Sequence, residues 1–320
     1  MRDLTNDVAK LTKPLRRLAV LAPCHNEAVS VAKVVRDFRA CLPDAEIHVF
    51  DNASTDDTAK IAAAEGAIVH HVAMKGKGHV VRRMFADVEA DVYLLVDGDD
   101  TYDAASASSL VSKLVDDRCD MVVALRKHTE AAAYRAGHVW GNRMLTGFLS
   151  WMFGRACNDI LSGYRVFSRR FVKSFPVLSK GFEIETELTV HALELRVPIG
   201  EVETPYKERP QGSASKLNTY RDGVRILFTI LRLFSAERPT TFWSIVALAL
   251  VSIVIMIPVA ITYAHTGLVP RFPTAILSMG IMLLAALSFF AGMILDTVTR
   301  GRRELKMLMY LREPGVKTEA

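Results

Sequence analysis

The sequence predicts an α/β protein with a mostly parallel sheet, followed by an apolar region long enough to span a membrane. Short apolar runs alternate with segments of helical periodicity from about Arg17 to Pro210. The helical segments are roughly 10–15 residues long, which is typical of a sheet with helices on both faces. A third observation is that hydrophobic residues concentrate after Phe242.

The predicted strands are short, mostly apolar runs that end at a polar residue or at proline. Those runs are Arg17–Ala22, Glu46–Phe50, Ala67–His70, Val92–Val96 and Met121–Leu125. Between them, the apolar spacing predicts helices over Glu27–Ala40 and over the alanine-rich segment Thr58–Glu65. We therefore expect one domain that includes residues 1–212.

An amphipathic helix is predicted next, within residues 213–238. One apolar face is formed by Leu217, Tyr220, Val224, Leu227, Phe228, Leu231 and Phe234. Arg221, Arg225 and Arg232 lie off that face. A basic amphipathic helix before an apolar region indicates a helix in the membrane interface, although a core-packing helix is the alternative.

Two uncharged segments, Phe242–Tyr263 and Thr274–Leu295, predict two transmembrane helices within residues 239–299. Each has about 22 residues, enough to cross ~30 Å of hydrocarbon at ~1.5 Å per residue. Arginines and lysines flank the pair on its outer sides, including the basic tail 300–320, which predicts a hairpin with both termini in the cytoplasm. Two buried helices of a soluble core are the alternative.

The composition restricts the classes of partner and of site. The net charge of +5 and the pI of about 9.0 fit a lipid bilayer with anionic headgroups or phosphorylated substrates. There is no dense basic tract that would indicate nucleic acid. The four cysteines form no CxxC pair, which argues against a zinc site, and the charged N-terminal segment does not resemble a signal peptide.

Carboxylates lie at the carboxyl ends of two predicted strands, which is where parallel sheets bind ligands. Asp51 ends the second strand, and Asp97, Asp99 and Asp100 follow the fourth. Carboxylates so close together repel each other without a cation, and their hard oxygen atoms suit Mg²⁺ or Mn²⁺ bound to a diphosphate. A solvated turn is the alternative for one such motif alone. The first strand lacks the glycine-rich turn of dinucleotide sites, and no P-loop motif exists.

Six motifs occur together in order over about the first 220 residues. They are Pro23–Glu27, Asp51–Thr58, Lys75–Gly78, Asp97–Asp99, Asn158–Arg165 and Arg209–Lys216. The succession resembles glycosyltransferase family 2, and within it the polyprenyl-phosphate hexosyltransferases such as dolichol-phosphate mannose synthase and bacterial undecaprenyl-phosphate glucosyltransferases. The resemblance implies a GT-A-type, Rossmann-like sheet domain followed by the interfacial helix and the hairpin.

The resemblance also implies a role for each matching position. Nucleotide-sugar binding is implied for Pro23, Asn26, Glu27, Asp51, Lys77 and Asp97. Catalysis is implied for Asp97, Asp99 and Asp159, with Asp97 and Asp99 also holding Mg²⁺ or Mn²⁺. Binding of the lipid phosphate is implied for Arg126, Arg135, Arg165, Arg209, Ser213 and Lys216, with Arg143 as the alternative to Arg135.

The expected activity is therefore inverting transfer of a hexose from a nucleotide-sugar to a polyprenyl phosphate. A processive polysaccharide synthase is one alternative, but Gln211 is the only glutamine and no tryptophan follows an arginine, so its QxxRW motif is missing. A non-catalytic membrane scaffold that binds a nucleotide-sugar is the other. The sugar, the choice of UDP or GDP, the polyprenol length and homo-oligomerisation stay open.

Overall fold

A seven-stranded, mostly parallel sheet forms the centre of the N-terminal part of the chain. The computed structural model describes residues 17–128, 147, 150–151, 158–181, 183–207, 228, 231–232, 234–252, 256–269 and 272–315. The strands are β1 Leu18–Cys24, β2 Glu46–Asp51, β3 Ile68–His71, β4 Val92–Leu95, β5 Met121–His128, β6 Arg165–Ser168 and β7 Ile199–Tyr206. The five predicted strands are therefore confirmed, whereas β6 and β7 were not predicted.

The strand order is β3-β2-β1-β4-β6-β5-β7. Only β6 runs antiparallel to its neighbours β4 and β5, and every other pair is parallel. In the register of β1 with β2, Cys24 lies opposite Asp51. The carboxyl ends of β1, β2, β4 and β5 therefore meet at one edge of the sheet, where the segment before β6 also arrives.

Helices connect these strands. The described helices in this part of the chain include α1 Val31–Cys41, α2 Thr58–Ala64, α3 Lys77–Asp87, α4 Ala107–Asp116, α5 Arg169–Ser174 and α6 Ile184–Leu195. All four residues of β4 are at most 1% exposed. Because successive side chains of a strand point to opposite faces, both faces of the sheet are covered at its centre.

The chain divides into two compact units. The first comprises Met1–Gly223 together with Lys306–Ala320, and the second comprises Val224–Leu305. Within the first unit, the C-terminal segment is anchored by three polar contacts. Lys306 pairs with Glu194 at 2.6 Å, Tyr310 donates to Asp120 at 2.7 Å, and Glu313 pairs with Arg169 at 3.0 Å.

The second unit is made of apolar helices. The described helices of this unit include α7 Pro239–Ser252, α8 Met256–Thr266 and the greater part of α9 Phe272–Arg312. Among the described residues, only α9 is both long and apolar enough to cross a membrane, with a mean hydropathy of 2.1 and 11% burial over its most apolar stretch. The predicted second span lies within α9. The predicted first span covers α7 and α8, and residues 253–255 between them lie outside the described part, so the two-span hairpin is not confirmed.

Small residues form the buried side of α9. Ser278, Ala285, Gly292 and Thr299 are its buried residues, spaced seven apart. A Cβ atom on Gly292 would lie 2.8 Å from the Cβ of Trp243, so the backbone of α9 runs close to α7 at this point. The Thr299 hydroxyl donates to the Ala236 carbonyl at 2.9 Å.

Most of the predicted amphipathic helix lies outside the described residues. Phe228, Leu231, Arg232 and Phe234 are described, and all four are helical. The side chains of Phe228 and Leu231 are exposed. The interfacial position of this segment stays a prediction.

Candidate active site

The loops after β1 and β2 are tied together at the edge of the sheet. Asn26 adopts a left-handed backbone conformation with φ of 54°. Its N–H donates to the Ser54 hydroxyl at 3.0 Å, and its side-chain oxygen accepts from the Thr55 N–H at 2.8 Å. The N–H of Glu27 donates to the Thr58 hydroxyl at 2.9 Å. Asn26 and Glu27, two of the residues predicted to bind the nucleotide, therefore hold the loop walls in place.

Asp51 and Pro23 lie beside these loops. Asp51 is 6% exposed, and its carboxylate accepts from the Ser54 N–H at 3.2 Å. A ring nitrogen of His71 lies 3.3 Å from the same carboxylate. Pro23 pairs in register with Phe50, one residue before Asp51. The predicted nucleotide-binding residues of β1 and β2 are thus adjacent.

Four carboxylates converge around the buried Cys24 thiol. Burial raises the pKa of Cys24, and the charges of Glu27, Asp97, Asp51 and Asp99 raise it further. The Cys24 thiol therefore lies near several negative charges. This region is the place where the sequence predicts a divalent cation.

The Asp97–Asp99 motif lies in the turn after β4. Asp99 is 4% exposed and accepts from the Thr101 hydroxyl at 2.6 Å. Asp97 lies against the backbone of Gly163, where an added Cβ would come within 2.3 Å of an Asp97 oxygen. Glycine at position 163 therefore leaves room for the Asp97 carboxylate.

The donor atoms present at this motif suit a cation shared with a substrate. No group of three or more His, Cys, Asp or Glu side chains able to hold a metal occurs within the described part of the chain. Mg²⁺ is commonly bound by one or two carboxylates, with phosphate and water oxygens completing its shell. Asp97 and Asp99 fit that arrangement, because they supply hard oxygen atoms inside the negative region around Cys24.

Lys77 lies between two carboxylates, one of which was not predicted. Its ammonium contacts Asp97 at 2.5 Å and Glu185 at 2.6 Å. Burial alone would lower the pKa of Lys77, but the charges of Asp97 and Glu185 outweigh it, and the pKa is raised. Glu185 is one of three glutamates at the start of α6, and no sequence signal distinguishes it from Glu183 and Glu187.

The loop before Lys77 is fixed by close packing and by the side chain of Asn52. Added Cβ atoms on Gly76 and Gly78 would come within 2.2 Å of the carbonyl oxygens of Lys180 and Ser179. The Asn52 amide donates to the carbonyls of Val72 at 3.1 Å and Met74 at 2.7 Å, and accepts from the Gly76 N–H at 2.7 Å. The position of Lys77 is therefore determined by two neighbouring segments.

Arg126 and Asp159 form a bidentate ion pair on the other side of the site. The guanidinium donates to both carboxylate oxygens of Asp159, at 2.7 and 2.8 Å. Burial alone would raise the pKa of Asp159, but its hydrogen bonds to Arg126 and the charge of Arg126 lower it. The guanidinium also lies 5.5 Å from the ring centroid of Tyr206.

Tyr102 lies near both Asp97 and Arg126. Its hydroxyl accepts from the Gly163 N–H at 2.9 Å, and its ring centroid lies 5.2 Å from that of Tyr206. Burial raises the pKa of Tyr102, and the charges of Arg126 and Asp97 both act on it. Asp97, on the predicted nucleotide-sugar (donor) side, and Arg126, on the predicted lipid-phosphate (acceptor) side, are therefore neighbours, and Tyr102 is close to both.

Arg165 is buried, whereas binding of a lipid phosphate requires an accessible guanidinium. It is 0% exposed, and its guanidinium donates to the carbonyls of Ser162 at 2.9 Å and Ile160 at 2.5 Å. It also donates to the Thr189 hydroxyl at 2.9 Å. Because β6 is an internal strand, the side chain supports the loop that carries Asp159 and presents no surface to a lipid phosphate.

The remaining predicted acceptor-side residues lie outside the described part of the chain. They are Arg135 with its alternative Arg143, and Arg209, Ser213 and Lys216.

Comparison with known proteins identifies the family. Residues 19–175 match the model of glycosyl transferase family 2. The chain is 54% identical to protein RfbJ of Shigella flexneri over 122 residues, covering 38% of this chain and 95% of that protein. It is 34% identical to glycosyltransferase AglJ of Haloferax volcanii over 235 residues, covering 72% of this chain and 77% of AglJ.

The fold has solved relatives as well. Glucosyl-3-phosphoglycerate synthase from Mycobacterium tuberculosis, in complex with Mn²⁺ and UDP-glucose, superposes with a TM-score of 0.58 and 21% identity, covering 73% of this chain and 83% of that one. This likeness shows the fold, and the two sequence relatives show the family. The chain belongs to glycosyl transferase family 2.

Proposed function

We propose that this glycosyltransferase moves a hexose from a nucleotide-sugar to the phosphate of a polyprenyl lipid, with inversion at the anomeric carbon. A phosphate oxygen of the acceptor attacks that carbon, and the nucleoside diphosphate leaves with the bonding electrons. The observation that carries the proposal is the bidentate pair of Arg126 and Asp159 beside the Asp97–Asp99 motif.

The donor side supports diphosphate departure. Asp97 and Asp99 would hold Mg²⁺ or Mn²⁺, which agrees with the Mn²⁺ and UDP-glucose named for the solved glucosyl-3-phosphoglycerate synthase. When bound, such a cation stabilises the charge that develops on the leaving diphosphate. Lys77 would add a second positive charge, while Asn26, Glu27 and Asp51 would bind the nucleoside.

The acceptor side favours an acceptor that is already charged. Asp159 is engaged by Arg126 and its pKa is lowered, so it is a weak base for removing a proton from a sugar hydroxyl. A phosphate monoester has a second pKa of about 6 and needs no such base at neutral pH. The planar guanidinium of Arg126 is well suited to phosphate oxygens.

The apolar helices favour a lipid acceptor over a soluble one. The greater part of α9 is apolar and mostly exposed, as expected for a helix in contact with lipid. We further propose the two-span hairpin, with the catalytic unit and both termini in the cytoplasm, because basic residues lie on its outer flanks. Arg165 then acts as a support of the Asp159 loop and does not itself bind the lipid.

The test is transfer by the purified full chain in detergent. A panel of UDP- and GDP-sugars is incubated with Mn²⁺, with and without undecaprenyl phosphate, and lipid-linked sugar is measured by mass spectrometry. We expect one donor to give product only when both the cation and the lipid phosphate are present. Product that forms without a divalent cation, or no product with any donor, would contradict the proposal.

Two variants separate the two sides of the site. Asp99→Ala should reduce transfer to below about a tenth of the wild-type turnover while the chain still folds. Arg126→Ala should mainly raise the KM for undecaprenyl phosphate. Lys127→Ala is the matched control, because Lys127 is an adjacent cation on β5 that pairs with the exposed Glu203. Unchanged lipid kinetics in Arg126→Ala would rule out its assigned role.

A further inference from the structure

Lys77, Asp97 and Glu185 form a buried charged group that the proposed reaction does not fully explain. The ammonium contacts one oxygen of each carboxylate, at 2.5 and 2.6 Å. The side chains of Lys77 and Glu185 are only 10% and 7% exposed. The second oxygen of Glu185 is buried and makes no hydrogen bond. Glu185 therefore has Lys77 as its charged partner in a site that water scarcely reaches.

The contact between Lys77 and Asp97 conflicts with the role of Asp97 as a cation ligand. An ammonium hydrogen-bonded to a carboxylate oxygen competes with a divalent cation for that oxygen. The loop of Lys77 is fixed by Asn52 and by the packing of Gly76 and Gly78, so the whole residue cannot move far away. Its side chain can change partner without leaving the site only if a second anion is already in contact with it.

Glu185 supplies that second anion. Asp97, Lys77 and Glu185 together carry a net charge of −1. Binding of a cation at this site is therefore electrostatically favourable. Once Asp97 binds the cation, Lys77 still has Glu185 as a partner and stays beside the diphosphate. One oxygen of Asp99 accepts a hydrogen bond from the Thr101 hydroxyl.

We propose that Lys77 is the counter-ion of Asp97 before the cation binds, and that Glu185 is a positioning residue which keeps Lys77 at the diphosphate after the cation has taken its place. The proposal rests on the cation site at Asp97 and Asp99 within the proposed function, and it does not depend on the lipid acceptor. It predicts that Lys77 opposes Mn²⁺ binding in the nucleotide-free protein but favours nucleotide binding once Mn²⁺ is present.

The test measures binding of Mn²⁺ alone, and then of UDP and GDP at saturating Mn²⁺, by calorimetry on the detergent-solubilised full chain. For Lys77→Met we expect Mn²⁺ alone to bind about fivefold more tightly. We expect the tighter-binding nucleotide to bind about tenfold more weakly to the same variant. The opposite signs of the two changes are the expected signature.

Lys33→Met is the matched control for the loss of a positive charge. Lys33 pairs at 2.7 Å with Asp100, in the same acidic motif, but its side chain is 48% exposed and contacts neither Asp97 nor Asp99. A general effect of charge would tighten Mn²⁺ binding in this variant too. Equal tightening in Lys33→Met and Lys77→Met, or unchanged Mn²⁺ affinity in Lys77→Met, would overturn the proposal.

Glu185→Gln tests the positioning role. Without the charge of Glu185, Lys77 is held by Asp97 alone, so Mn²⁺ alone should bind about threefold more weakly. The same substitution in the Lys77→Met background should change Mn²⁺ affinity by less than about twofold, because the two residues act as a unit. An equal effect of Glu185→Gln in both backgrounds would show that it acts independently of Lys77 and would overturn its role.

The result for the wild-type protein separates this inference from the proposed function. If the wild-type chain bound no Mn²⁺, or if Asp99→Ala bound it equally well, the cation site itself would be wrong. If the wild-type chain bound Mn²⁺ through Asp99 and the Lys77 variants behaved like their controls, only the counter-ion role would fail.

Discussion

His191 is a buried histidine whose ionisation affects the stability of the fold. It lies on α6, and one of its ring nitrogens is 3.0 Å from the Ser174 hydroxyl. Burial, helped by the charge of Lys306, lowers the pKa of His191 to about 3. An unfolded histidine has a pKa of about 6.5. Between these two values the unfolded chain binds a proton that the folded chain does not, so stability falls as the pH is lowered.

We predict that His191→Gln removes this dependence on pH. The variant should be less stable than the wild-type chain at pH 7, because buried packing changes. At pH 5 its deficit in unfolding free energy should be smaller by about 2 kcal/mol, since about 1.4 kcal/mol is lost per pH unit below the unfolded pKa. Urea unfolding of the two proteins at both pH values measures this, and an equal deficit at the two pH values would contradict it.

Arg165 shows what a motif cannot reveal about a single residue. Its place in the motif Asn158–Arg165 implied contact with a phosphate, but the structure buries its guanidinium among backbone carbonyls. The reason is that β6 is an internal, antiparallel strand between β4 and β5. Its neighbours are distant in the sequence, so no local pattern could show that the side chain points inward.

At the scale of elements, the five mostly apolar strands were predictable, whereas β6 and β7 were not. β4, Val92–Leu95, is wholly apolar apart from one tyrosine hydroxyl, and it was predicted to within one residue. β6 has only four residues and begins with arginine, whereas β7 contains glycine, proline and two glutamates. Their extended form depends on tertiary pairing, which overrides weak local preference.

The loop between β3 and α3 is an element whose position depends on one side chain. We predict that Asn52→Ala weakens nucleotide binding by about tenfold, because three hydrogen bonds that place Gly76 and hence Lys77 are lost. The KM for the lipid phosphate should not change. Calorimetry with nucleotide and Mn²⁺ measures the first effect, and Ser106→Ala, which loses only a contact with Asp103, is the control. Nucleotide affinity equal to that of the control would contradict the role of Asn52.

At the scale of the whole molecule, the sequence predicted which strand ends form the site. It did not predict the ion pairs that connect the side chains there. The parallel order of β1, β2 and β4 follows from the alternation of strands and helices, and it brings Asp51 and Asp97 to one edge. The partnership of Lys77 with Glu185 does not follow, because α6 is far along the chain and carries three similar glutamates. Only the folded arrangement selects one of them.

The C-terminal segment closes the first unit, and Asp120 is its main anchor. Asp120 is 0% exposed, receives two hydrogen bonds from Arg170 at 2.5 and 2.8 Å, and accepts from Tyr310 at 2.7 Å. We predict that Tyr310→Phe lowers the unfolding free energy by about 1.5–3 kcal/mol, the usual value for a hydrogen bond to a charged group. Nucleotide affinity should stay the same. Wild-type stability in urea would contradict this anchoring role.

The seven-residue spacing of Ser278, Ala285, Gly292 and Thr299 has a geometric consequence for α9. A straight helix has about 3.6 residues per turn, so a row of positions seven apart drifts by about 20° with each repeat. The row can keep facing one neighbour along its length only if the two helices wind around each other in a left-handed supercoil. A bulky side chain such as leucine at position 292 would push α9 away from α7 at their close approach next to Trp243.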